Sequence, residues 1–97
     1  MDRELGFLEA GLLLVLRDHP ENAWATPIRE RLETATHRRY AVGAIYTALS
    51  RLEAKGMVTS KLGKSTAMRG GRAKRYYRIT KAGSDALQRT QAIFAVR

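Results

Sequence analysis

Nine of the twelve residues from Leu5 to Leu16 are apolar, so a helix drawn through them is buried nearly all round. In a chain of 97 residues this is a severe demand. So small a domain leaves much of its surface wet and has little chain to wrap one helix. The segment runs from about Arg3 to Asp18 and ends at His19-Pro20-Glu21-Asn22, where Pro20 biases its predecessor away from helix. Two arrangements satisfy it. Either the rest of the chain wraps a central helix, or a second subunit covers the remaining face, with Gly6 and Gly11 permitting close approach. A disulfide cannot staple the domain, because there is no cysteine, and the usual zinc frameworks go with it, leaving His19 and His37 as soft ligands. The longest apolar stretch, Leu12–Leu16, is far short of the roughly 20 residues of a membrane span. Met1-Asp2-Arg3-Glu4 lacks the positive start of a signal peptide. A cytoplasmic protein is expected.

The remaining pattern is that of one small domain with an apolar fraction of 44 %. A second helix is expected from Thr26-Pro27, with threonine as its cap and proline at its first position. Ile28, Leu32 and Ala35 form its apolar stripe, and Arg29, Glu30, Arg31 and Glu33 its solvent side. After a polar break from Thr34 to Arg39, a third helix spans about Val42–Lys55 and stops at Gly56. At about 100° per residue, Val42, Ala48, Leu49 and Leu52 cluster around Ile45. Gly43, Thr47, Ser50 and Ala54 point the other way, with Tyr46 on one flank and Arg51 on the other. Two alternating segments follow, Met57–Leu62 with Val58, Ser60 and Leu62 on one face, and Arg75–Thr80 with Tyr77 and Ile79 inward. Gly63–Lys74 connects them. Thr80 caps a last helix carrying Leu87, Ile93 and Phe94, which either ends with the chain or continues past Arg97. The order is α-α-α-β-wing-β-α, a mainly α fold with a small hairpin.

Charge points to a partner. Residues 1–53 carry seven bases and eight acids, whereas residues 54–97 carry eleven bases and one acid, Asp85, for +9 overall and a pI near 10.7. A basic surface on a neutral scaffold is the footprint of a polyanion binder. From Lys61 to Lys81 there are eight bases and no acid. A charge run is often only a solvated loop. Here it hangs between two strands, which fix its base and let it reach along a phosphate backbone or into a minor groove. The third helix is the second element. A surface helix normally carries Glu and Lys outward, and small residues with hydroxyls imply that another surface comes close. A face of this size enters a major groove about 12 Å wide. Thr47 and Ser50 can hydrogen-bond base edges. Tyr46 can meet a phosphate or a thymine methyl, or else pack half-buried. Arg38, Arg39 and Tyr40 precede the helix N-terminus, where backbone N–H groups favour a phosphate. A winged helix-turn-helix is the fold these features make.

The run Gly43-Ala44-Ile45-Tyr46-Thr47-Ala48-Leu49-Ser50-Arg51-Leu52-Glu53-Ala54-Lys55-Gly56-Met57-Val58 resembles the PadR-type transcriptional regulators, whose pattern is G-x-(I/L)-Y-x-x-L-x-R-L-E-x-x-G-(L/W)-(I/V). The run Gly71-Arg72-Ala73-Lys74-Arg75-Tyr76-Tyr77-Arg78-Ile79-Thr80-Lys81-Ala82-Gly83 is similar to their wing signature, G-R-x-(R/K)-(R/K)-Y-Y-x-(I/L)-T-x-x-G. With the leading apolar helix, the resemblance covers about residues 5–95. It implies a dimeric, bacterial-type DNA-binding regulator, usually a repressor and often released by a small ligand. It also implies that the helix bearing Tyr46 and the wing contact DNA. The first helix and the C-terminal helix, about 81–97, would then make the dimer. The chain departs from the family at Trp24-Ala25-Thr26-Pro27, where a Tyr-Gly-Tyr-Glu type start is frequent. Its wing, with Lys64, Ser65 and Thr66, is longer than in many relatives, and its C-terminal region is short. No ligand pocket is carried over, and Trp24 is read as a core or interface aromatic rather than a stacking platform.

The expected reading is a sequence-specific binder of double-stranded DNA, with one winged-helix domain over residues 1–97. Gly43, Tyr46, Thr47 and Ser50 would face the major groove. Arg38, Arg39, Tyr40 and Arg51 would hold phosphates. Lys64, Arg69, Arg72, Lys74 and Arg75 would hold phosphates or probe the minor groove. An enzyme is not expected. Neither His19 nor His37 has a carboxylate or nucleophile at motif spacing, and Gly70-Gly71 sits in no phosphate-binding pattern. No cofactor is implied. The competing readings are a winged helix that grips an acidic protein, and a non-specific binder of RNA or anionic membrane.

Overall fold

In the computed structural model, which describes residues 5–63 and 73–96, the elements follow one another in the expected order. α1 (Phe7–Asp18) starts at Gly6, whose backbone N–H donates to the Glu9 carboxylate at 3.2 Å, placing an anion at the positive end of the helix. Leu12, Leu13 and Leu16 of α1 are buried. They meet Ile28 and Leu32, then Ile45, Leu49 and Leu52, then Val58, Tyr77 and Leu87, in one core to which every element contributes.

α2 (Ala25–Thr36) begins earlier than its sequence signals suggest. Trp24 is its cap residue, no side chain caps it, and Thr26 stands in the first turn. Proline is tolerated there all the same, because the first N–H with an intrahelical partner is that of Ile28, which donates to the Trp24 carbonyl at 3.2 Å. Ala35 is exposed, since it borders an open groove along α1 rather than the core. Arg29, Arg31 and Glu33, expected in solvent, are half-buried.

α3 (Val42–Ala54) turns Ile45, Ala48, Leu49 and Leu52 inward. Val42 shares their direction yet is 44 % exposed, because it stands nearly a turn before Ile45, beyond the end of the core. The helix ends in a Schellman motif. Gly56 takes φ +77°, its N–H donates to the Glu53 carbonyl at 3.0 Å, and that of Met57 to the Leu52 carbonyl at 2.9 Å.

β1 (Val58–Leu62) and β2 (Arg75–Ile79) pair antiparallel, Val58 opposite Ile79 and Leu62 opposite Arg75. Val58 and Tyr77 lean on the helices, as a lone hairpin requires. Leu62 is 59 % exposed although it shares their face, because the hairpin runs past the helical body. One further pairing has no counterpart in the sequence reading. The Tyr77 N–H donates to the Ala23 carbonyl at 2.8 Å and Trp24 bridges to Tyr76, so the α1–α2 connection covers the edge of β2.

α4 (Lys81–Ile93) is capped as expected by Thr80, whose hydroxyl accepts from the Gly83 N–H at 3.1 Å. Leu87 enters the core, whereas Ile93 and Phe94 are exposed, Phe94 by 84 %. The described residues thus wrap only part of α1. Gly11 grants its close approach to Leu32 of the same chain, since a Cβ there would stand 2.6 Å from Leu32 Cδ1. Beside it Phe7, Ala10, Leu14, Ala35 and Phe94 line an open, mainly apolar groove of about 620 Å³. Phe7 is 66 % exposed.

Candidate nucleic-acid interface

The outward side of α3 carries Gly43, Tyr46, Thr47 and Ser50, all exposed. Tyr46 is 48 % exposed, so it is partly packed and partly open. How this face is presented depends on the turn from α2. His37 closes α2 in the left-handed region, its N–H donating to the Glu33 carbonyl at 2.8 Å. The Glu33 carboxylate accepts from the Tyr40 N–H at 2.7 Å, and Arg29 Nη1 donates to the Tyr40 carbonyl at 3.4 Å. Both charged side chains come from α2, so they fix the angle at which α3 departs. Sequence reasoning missed them because helical periodicity placed them in solvent. The available signal was the unpaired peptide groups of a short turn, which need partners from the helix beside it.

The four residues expected to hold phosphates near α3 part company. Arg38 is exposed, with its guanidinium carbon 5.5 Å from the centroid of Phe7, a cation–π distance. Arg39 is exposed. Tyr40 is a correction. Its hydroxyl is buried and has no hydrogen-bond partner among the described residues, because the ring packs against the core instead of reaching outward. Arg51 lies on the α1 side of α3, in a hollow shared with Phe7, Leu8, Glu9 and Lys55, away from Tyr46. There Lys55 pairs with Glu9 at 3.1 Å.

On the wing, Lys74 and Arg75 are exposed at the base of β2. The Lys74 ammonium stands 4.1 Å from the centroid of Trp24, which gives Trp24 a packing role at the junction of hairpin and α1–α2 connection. Arg75 Nη1 donates to the Ser60 hydroxyl at 3.0 Å, and that hydroxyl donates to Glu53 Oε2 at 2.8 Å. Close by, burial pushes the Tyr77 phenol above its ordinary pKa against the opposing effect of Arg75, so the ring stays neutral. Lys64, Arg69 and Arg72 lie outside the described residues. Among the described residues no group of three His, Cys, Asp or Glu side chains could hold a metal ion, and no helix is long and apolar enough to cross a membrane.

This arrangement joins a helix-turn-helix, a small outward face and a basic hairpin beside it, and its fold recurs in known proteins. The sequence profile of the transcriptional regulator PadR-like family matches residues 12–89. The chain belongs to that family. Among solved structures, a PadR-like transcription factor from Bacteroides fragilis is 29 % identical with a TM-score of 0.78, the match covering 93 % of this chain and 82 % of that one. A transcriptional regulator from Clostridium thermocellum has the same fold at 22 % identity and TM-score 0.77, over 93 % and 82 % of the two chains. So does a PadR family transcription regulator from Clostridium difficile, at 22 % identity and TM-score 0.74, over 93 % and 88 %. No curated protein sequence matches the chain significantly. The winged-helix fold expected from sequence is therefore the observed one. PadR membership makes the protein a regulator of transcription, a class without catalysis of its own.

Proposed function

We propose that this PadR-family protein acts in the cytoplasm as a sequence-specific repressor that binds an inverted-repeat operator as a homodimer. The observation that carries the reading is the outward face of α3, where Gly43, Tyr46, Thr47 and Ser50 present small groups and hydroxyls beside a hairpin bearing Lys74 and Arg75. Thr47 and Ser50 donate to or accept from base edges, and Tyr46 fills the space beside a thymine methyl or a phosphate. Arg38, Arg39 and Arg51 flank the helix as phosphate contacts, and Lys64, Arg69, Arg72, Lys74 and Arg75 extend them along the wing. The groove beside α1 takes a second copy of the chain, the exposed Phe7 and Phe94 supplying apolar surface that a lone subunit leaves wet.

The test is a selection of random duplex DNA on the purified protein, with the bound pool sequenced. The expected pool contains an inverted repeat whose half-sites are centred about 34–36 Å apart or a multiple of that. A featureless pool whose retention vanishes with salt would reduce the protein to an electrostatic polyanion binder.

A further inference from the structure

We propose that Glu53 and Ser60 are positioning residues for DNA binding, which hold the Arg75 guanidinium in place for a backbone phosphate. The proposal rests on the DNA-binding reading above. Three elements meet in this chain of hydrogen bonds: Glu53 at the end of α3, Ser60 in β1 and Arg75 in β2. Ser60 and Arg75 are diagonal neighbours across the hairpin, since Arg75 faces Leu62 and Ser60 faces Tyr77. The single hydroxyl hydrogen of Ser60 goes to Glu53 at 2.8 Å, so the oxygen is oriented to accept from Arg75 at 3.0 Å. Both bonds have a charged partner, which makes them stronger than neutral ones.

Two features are otherwise unexplained. Glu53 is the last acid before Asp85 in a stretch rich in bases, and it is exposed at the foot of the wing. A carboxylate there repels an approaching phosphate, a cost that orienting Arg75 would offset. Arg75, moreover, makes no direct ion pair among the described residues, although Glu53 is one hydroxyl away. A direct pair would engage two of the five guanidinium donors and neutralise the charge. With Ser60 between them, Glu53 orients the guanidinium while four of its N–H groups and most of its charge stay available to DNA. The same bonds tie the wing to the recognition helix, so a phosphate contact on one is in register with base contacts on the other.

The experiment measures affinity for a short random-sequence duplex across a salt series, for the wild type, S60A, S60T, R75A and S60A/R75A. R75A should flatten the slope of log K against log salt by about 0.9, one phosphate contact. S60A should weaken binding about three- to tenfold, the cost of immobilising a long side chain, while the slope keeps its wild-type value. S60T retains the hydroxyl and should restore affinity to within about twofold. In the R75A background, S60A should add no more than about a further twofold. Thermal midpoints of S60A and S60T, measured alongside, should match the wild type, separating positioning from folding. The proposal is overturned if S60A costs as much without Arg75 as with it, or costs nothing while R75A does. If R75A leaves affinity and slope unchanged, the relay and the placement of Arg75 on DNA both fall. The reading of the protein as a sequence-specific regulator is judged separately, by the operator selection.

Discussion

At the residue scale, Tyr46 stands partly packed and partly open on the face proposed to meet DNA. The residue is 48 % exposed, so part of it is packed and the rest is open to a partner. Tyr46→Ala should therefore lower affinity for the selected operator more than for random duplex, by about 1–3 kcal/mol in operator binding, measured by competition titration. Equal losses on both duplexes would make Tyr46 a phosphate contact only. Tyr77, one strand away, has a titration that the fold has already biased. Its phenol is raised above 10 chiefly by burial, so the neutral form is favoured in the folded state relative to the unfolded one. The stabilisation is fully present below the unfolded pKa and is lost as pH rises past 10 through the folded value. Chemical denaturation should accordingly show stability falling above pH 10, with less of a fall in Tyr77→Phe. A wild type and variant that fall together would place the alkaline loss elsewhere.

At the element scale, the turn between α2 and α3 is held by two charged side chains that periodicity assigned to solvent. Removing the Glu33 carboxylate leaves the Tyr40 N–H without its partner in a half-buried site. Glu33→Ala should thus cost about 1–3 kcal/mol of stability by thermal or denaturant unfolding. It should also weaken DNA binding by freeing the angle of α3; unimpaired binding would show that the angle is fixed elsewhere. This turn also marks where the sequence ceased to be readable. Three of the helices were legible because each carries a local signal: Pro20 ends α1, Gly56 stops α3 in its Schellman motif, and Thr80 caps α4. What was not legible depends on contacts between segments. Burial of the Tyr40 hydroxyl, the Trp24–Tyr76 bridge and the exposure of Val42 and Leu62 follow from where the core ends and what lies over it, and a helical wheel or a strand alternation holds neither. The expected site splits the same way, with Thr47 and Ser50 placed by periodicity alone, while Tyr40 was decided by packing.

At the scale of the whole molecule, α1 has a face that the described residues leave open. Three buried leucines and one valine on α1 organise the core, yet Leu14 is only half-covered, Phe7 and Phe94 stand exposed on an apolar groove, and Ile93 is exposed as well. A second copy related by a twofold axis would cover the same residues on both chains at once, the self-complementary arrangement that most small oligomers adopt. That arrangement also sets how strongly DNA is held. On the proposed reading each α3 alone would offer one small face and a few phosphate contacts, and joining two on one operator would make the second binding event intramolecular. Leu14→Asp places an unpaired charge in the centre of that face; because Leu14 also packs against the core, the variant's thermal midpoint is measured alongside to separate lost association from lost folding. Sedimentation velocity should then report a dimer for the wild type and a monomer for the variant. Affinity for the complete operator should fall by roughly 10²–10⁴-fold while affinity for an isolated half-site changes little. A variant that remains dimeric would move the interface off α1. One that is monomeric yet binds the full operator undiminished would show that dimerisation makes no contribution to recognition.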